Sequence, residues 1–113
     1  EINVSMFKAG DWVDVIGTTK GKGFSGAMER HHFKGGPVTH GQSDRTRCTG
    51  STGSGQQASR TFKGKRLPGQ LGNVQRTKKN IQIVKVDEQK NLLLVLGSVP
   101  GGKNGLLVIR VVR

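Results

Sequence analysis

Acidic groups, aromatic rings and thiols are all scarce in this chain of 113 residues. Its seven Asp and Glu residues are scattered, with no pair of carboxylates placed for acid–base chemistry. Ser43, Ser51 and Ser54 lie near His40 in sequence, but no nucleophile elbow surrounds them. These absences argue against an enzyme. Cys48 is the only cysteine, so no internal disulfide can form, which suits a reducing compartment. His31, His32, His40 and Cys48 do not reproduce the spacing of a zinc finger or knuckle, and no metal site or cofactor is expected. No apolar run approaches the roughly 18 to 20 residues that span a bilayer, and no signal-peptide pattern is visible. Four Phe, one Trp and no Tyr leave few stacking platforms. That weighs against the alternative of a free, sequence-tolerant RNA-binding or chaperone module, which relies on interleaved aromatics.

What the chain has instead is positive charge, concentrated in one stretch. Residues Lys20 to Lys79 hold 13 of the 19 Lys and Arg residues against Glu29 and Asp44 alone, so 13 minus 2 gives +11 of the chain's +12. The same 60 residues contain 12 of 18 glycines but only eight large apolar side chains, whereas the other 53 residues hold 24. A segment so poor in apolar surface cannot offset its own ordering entropy. Packed with cations, its natural counterpart is a polyanion. An anionic membrane surface would need an amphipathic helix, and the glycines preclude one, so nucleic acid is the better partner. The expected organisation is a β portion from residues 1–19 and 80–113, with 20–79 inserted as a long basic, irregular arm. The chain opens at Glu1 and its core-competent residues are few, so it is expected to be the later part of a longer chain.

Along the chain, Ile2, Val4 and Met6 alternate with polar residues and predict a first strand. Trp12, Val13, Val15 and Ile16 predict a second, ending at Gly17. Ser25 to Phe33 admits a short helical turn, with Met28 and His32 on one side. From His40 to Gly69 periodicity is lost, and regular structure is expected to resume at Asn80. Ile81 to Val86 and Leu106 to Val112 read as strands, with Asp87 to Asn91 as a turn. The unbroken apolar run Leu92 to Leu96 reads as a strand buried on both faces. Strands without intervening helices imply an antiparallel sandwich or barrel.

Gly21-Lys22-Gly23-Phe24-Ser25-Gly26 matches G-x-G-x-x-G after a predicted strand, yet no firm helix or second parallel strand follows, so a dinucleotide site is rejected. Glycine beside lysine is better suited to close approach of backbone to phosphates. Phe62-Lys63-Gly64-Lys65-Arg66-Leu67-Pro68-Gly69 places three cations around Gly64, and its flanking Phe62 and Leu67-Pro68 are expected to pin the segment in one shape. Arg suits planar, bidentate phosphate contacts and Lys supplies point charge.

The chain resembles the universal large-subunit ribosomal protein L3 family, bacterial or organellar type. The likeness rests on Asp14 to Phe24, Thr39-His40-Gly41, Gly50-Ser51-Thr52-Gly53, Phe62 to Asn73, and Asn91 to Val95 through Gly97 to Gly101. It implies a mainly β fold, an antiparallel β-barrel of the translation-protein type, here incomplete at its N-terminus, carrying a long basic extension. It further implies a structural constituent of the large ribosomal subunit, in bacterial cytoplasm or an organelle matrix, that joins early in assembly. Its partners would be 23S-type rRNA and neighbouring large-subunit proteins of the L14 and L19 types, with no membrane and no small-molecule substrate. The rRNA-binding residues would be Lys20, Lys22, Arg30, Lys34, His40, Arg45, Arg47, Arg60, Lys63, Lys65, Arg66, Arg76, Lys78 and Lys79. The tip near the peptidyl transferase centre would include Gly53, Ser54, Gly55, Gln56 and Gln57. Gln56 aligns with a glutamine that is methylated in some members. The chain departs from the family pattern at Gln57-Ala58-Ser59, at Cys48-Thr49 and at Asp44 to Arg47.

Overall fold

The computed structural model describes residues 2–55 and 59–112. They form two compact units, one made of Glu1–Gly21 with Gly72–Arg113 and the other of Lys22–Leu71. The chain is mainly β and its sheets are antiparallel.

In the first unit, β1 (Trp12–Thr18), β4 (Gln75–Asp87), β5 (Leu92–Val95) and β6 (Leu107–Val111) make a four-stranded sheet in the order β5-β4-β1-β6. Among the described residues this sheet does not close into a barrel. The β-branched content of β1 and β4 suits a pleated, packed surface. Val13 and Val15 of β1 meet Ile81 and Ile83 of β4 in a fully buried cluster, bordered by Phe7, Val86, Leu93, Val95, Leu107 and Ile109. Cross-strand partners share a face, and Val13 opposite Ile81 and Val15 opposite Ile109 therefore put one face of three strands into this core.

Asp14 lies between those two valines and points the other way, yet it is only 7% exposed. Its Oδ2 accepts from Arg110 Nη2 at 2.9 Å, and its Oδ1 accepts the Asn80 N–H at 3.1 Å. Asn80 has φ +54° and sits where β4 supplies two residues, Lys79 and Asn80, opposite the single Asp14. This is a β-bulge, and an amide left over by the bulge finds the carboxylate instead of a ladder partner. The hydrogen bond from Arg110, and next the one from the Asn80 amide, hold the Asp14 carboxyl below its ordinary range, against the opposing effect of burial.

Three expectations are corrected here. Ile2 to Met6 is not a strand. Val4–Met6 forms a 3-10 turn, closed by Phe7 N–H to the Val4 carbonyl, while the Val4 N–H bonds Asn91 Oδ1. With local acceptors in reach the segment needs no sheet partner, and Ile2 and Met6 stay exposed while Phe7 borders the core. Leu92 to Leu96 is not buried on both faces. β5 is an edge strand whose Leu93 and Val95 pack inward while Leu92 and Leu94 face out, and Leu96 beyond it is also exposed. A continuous apolar run does not reveal whether a second layer covers it. Regular structure also resumes earlier than Asn80, because β4 begins at Gln75. Polar Gln75 to Asn80 carry no apolar alternation, and only pairing with β1 makes them a strand.

Two outcomes test this arrangement, both readable from the fluorescence of the single Trp12. Ile83→Ala should cost about 2 to 5 kcal/mol in chemical denaturation, because the deleted side chain leaves a cavity among fully buried neighbours. The Asp14 carboxyl is depressed on folding, so its contribution is complete above the unfolded value of about 3.9 and lost as pH falls through the lower folded value. Asp14→Asn should therefore flatten the decline of thermal stability below about pH 4. An acid decline as steep as in the parent chain would remove Asp14 from that role.

Candidate nucleic-acid interface

The second unit contains few apolar side chains, and polar contacts to backbone do much of its ordering. β2 (Gly23–Ser25) pairs with β3 (Gly69–Leu71) as a two-stranded ribbon, with Phe24 opposite Gln70. The five-residue α1 (Ala27–His31) follows, and ends where His32 turns left-handed at φ +58°. That turn takes His32 out of the helix, so the expected Met28–His32 alignment does not form. Ala27 and Ser25 are the buried residues of this region.

Arg30 of α1 donates from Nη1 to the Leu67 carbonyl at 2.8 Å and from Nε to the Gln70 carbonyl at 3.1 Å. His31 Nε2 lies 3.2 Å from the same Leu67 oxygen, which a proton on that nitrogen would bridge. The guanidinium passes so close to Gly69 that a Cβ there would sit 2.5 Å from Nη1. Arg30 is thus spent on holding α1 to the approach of β3 and is the one half-buried cation of the set.

The other expected cations are exposed. Lys22 approaches Glu29 at 3.8 Å, a surface pair worth about 0 to 1 kcal/mol. Lys34 and Arg45 come to the rim of one recess of about 580 Å³, lined also by Phe33, Gly35, Gly36, Cys48, Thr49 and Gly50. Arg45 and Arg47 border an adjoining recess of about 570 Å³ that shares Cys48, Thr49 and Gly50. His40 is exposed with φ +62°. Arg60, Lys63, Lys65 and Arg66 are exposed around a turn in which Gly64 has φ +78°. Phe62 does not pin this stretch, since it is 72% exposed. Three cations so close together favour solvent over a shared packed surface.

At the expected tip, Gly53, Ser54 and Gly55 line an open recess of about 240 Å³ with Thr52, Ser59, Arg60 and Thr61. The Gly53 N–H bonds Ser51 Oγ at 3.3 Å. Gln56 and Gln57 lie outside the described residues.

Lys20, Arg76, Lys78 and Lys79 belong to the first unit. Arg76 and Lys78 sit opposite Gly17 and Val15, and both are exposed. Lys79 occupies the bulge, where its charge also favours ionised Asp14. Sequence reasoning missed two roles here. Arg110 is the partner of Asp14, and the Phe33-to-Gly36 wall faces Arg45 to Gly50. Only the Gly35-Gly36 pair beside an aromatic hinted at the second.

Among the described residues no three His, Cys, Asp or Glu side chains cluster as metal ligands would, and no helix is long and apolar enough to cross a membrane.

If Arg30 is a clamp, Arg30→Gln should speed amide exchange in the β2–β3 ribbon roughly tenfold, the equivalent of losing one charge-assisted bond. Arg30→Lys should not restore it, because an ammonium lacks the planar fork that spans two carbonyls. Unchanged exchange in both would return Arg30 to the free cations.

Residues 2–92 match the family model described as ribosomal protein L3. A protein named "Large ribosomal subunit protein uL3" from Herpetosiphon aurantiacus is 50% identical over 108 residues, covering 96% of this chain and 51% of the relative. The like-named protein of Chlorobaculum tepidum is 52% identical over 108 residues, with 96% and 52% covered. That of Dehalococcoides mccartyi strain CBDB1 is 49% identical over 110 residues, with 97% and 54% covered. The chain spans about half the length of the curated relatives it matches. With a family model over most of its length and half its residues shared with these relatives, the chain belongs to the ribosomal protein L3 family.

Proposed function

We propose that this chain acts as a structural, non-catalytic constituent of the large ribosomal subunit, holding 23S-type rRNA through the cations of residues 20–79. The observation that carries the reading is the exposure of those cations. Thirteen of the fourteen named residues, all but Arg30, are exposed, in a stretch that contributes +11 of the net +12. Such a field repels itself until phosphates neutralise it, and release of condensed counterions then drives association. Family membership supplies the kind of RNA.

Within this reading the segment 53–57 lies toward the peptidyl transferase centre, and Gln56 is the candidate for methylation. Neighbouring proteins of the L14 and L19 types and an early place in subunit assembly belong to the same proposal. So does location in the ribosome of a bacterial cytoplasm or an organelle.

Binding to large-subunit rRNA should weaken steeply with salt. Replacing Lys63, Lys65 and Arg66 together by Gln should reduce the slope of log affinity against log salt by roughly two to three, at about 0.7 to 0.9 per phosphate contact. A slope equal to that of the parent would remove this cluster from the interface. Ultraviolet crosslinking of the tagged protein in cells tests the whole reading. Crosslinks concentrated in large-subunit rRNA support it and reveal the compartment through the genome that encodes the RNA. Crosslinks spread over many messages would instead favour a free RNA-binding module.

A further inference from the structure

We propose that the recess between Phe33–Gly36 and Arg45–Gly50 receives one unpaired nucleotide of the bound RNA, its base against Phe33 and its phosphate between Lys34 and Arg45. The inference rests on the rRNA-binding reading and deepens it, because it assigns a specific, shape-based contact to a region otherwise credited with charge alone.

The recess is built into the backbone. The Gly36 N–H bonds the Thr46 carbonyl at 2.8 Å, drawing the two walls together at one end. Gly35, at φ +72°, and Gly36 allow that approach. A Cβ on Gly35 would run into the Thr46 carbonyl oxygen, and one on Gly36 would lie 2.7 Å from the Arg45 carbonyl oxygen. Met28 of α1 packs against the same point, its Cε 2.9 Å from where a Gly35 Cβ would stand. The Phe33 ring packs beside that of His31, with ring centroids 6.2 Å apart and planes inclined at 39°. His31 in turn is tied to the Leu67 carbonyl. The aromatic wall is therefore held in place, unlike Phe24 and Phe62, which are 80% and 72% exposed.

The chemistry of the lining fits a nucleotide. Its volume of about 580 Å³ falls in the usual range of roughly 300 to 1,000 Å³ for small-ligand sites. A lining that combines an aromatic ring, the small residues Cys48, Thr49 and Gly50 and two exposed cations matches a flat base with one anionic group. A helical RNA segment offers only its backbone and a shallow groove, so the Phe33 ring can be stacked only by a base removed from its own stack. The adjoining recess shares Arg45, Cys48, Thr49 and Gly50 and adds Arg47 and Ser51. It gives the next phosphate of the same strand a cation of its own.

The test uses the full-length protein bound to a transcript of bacterial large-subunit rRNA. Short-wave ultraviolet irradiation followed by mass spectrometry should place crosslinked nucleotides on Phe33 or within Cys48–Gly50. Cys48→Trp fills the recess from an exposed position, so folding is preserved. It should weaken binding roughly fivefold or more, the effect of losing one stacked base, and leave the salt slope unchanged. Lys34→Gln with Arg45→Gln should instead lower the slope by about one to two. A salt-dependent complex with no crosslink at these residues, and with Cys48→Trp binding like the parent, overturns the recess proposal and leaves the rRNA reading standing. Failure of the parent protein to bind the transcript overturns both.

Discussion

The carboxylate of Asp14 decides where β4 stops being a core strand and becomes a cationic one. Seven residues of β4, Ile81 to Asp87, run alongside the buried cluster, and six, Gln75 to Asn80, are exposed throughout. The bulge at Lys79–Asn80 separates the two stretches, and it needs an acceptor for the Asn80 amide as well as a residue that tolerates φ +54°. Asparagine is among the few side chains that accept that backbone conformation. Asp14 supplies the acceptor and recruits Arg110 from β6 to balance the charge it brings inside. One acid on β1 thereby links β4, β1 and β6, three of the sheet's four strands. Without an acceptor there, the part-buried Asn80 amide left over by the bulge would stand unpaired.

The second unit works under the opposite constraint. It cannot rely on apolar burial, and among the described residues its buried side chains are small, those of Ser25 and Ala27. Ordering comes from donors aimed at carbonyls: Arg30 to Leu67 and Gln70, His31 toward Leu67, and the Gly36 amide to Thr46. A guanidinium suits this task because it stays charged and offers several donors in a rigid fork, and two neutral carbonyls can satisfy it without a counter-charge. One cation is committed to structure, and the rest keep their charge at the surface.

These two strategies also explain what could be read from sequence. The strands of the first unit were legible because period-2 alternation and β-branched residues are local signals, as at Val13, Val15, Ile81 and Ile83. Coverage is not local, which is why Leu92 to Leu96 read as doubly buried although β5 lies at an edge. The Ile2 to Met6 alternation failed because three apolar residues are weak support against a nearby Asn91 that can hold the Val4 amide. The basic character of the stretch 20–79 was plain from composition alone. The division of labour within it was not, because nothing in the local pattern around Arg30 separates it from Lys34 or Arg45. Only the fold brings two carbonyls, 37 and 40 residues onward, within its reach.

That division bears on how a polyanion can be recognised with any shape at all. Exposed cations on flexible backbone follow phosphates wherever they lie, and they give affinity with little discrimination. Discrimination needs groups that cannot adjust, and in this chain those are the ones already held by intramolecular bonds. Phe33 is braced by His31, the Gly35-Gly36 turn is locked against Arg45 and Thr46, and the β2–β3 ribbon is strapped by Arg30. Under the proposed reading, the polar contacts that replace a hydrophobic core in the second unit would also give its surface shape selectivity. A charge-only segment of the same composition would bind RNA, but it would have no fixed recess to offer a base.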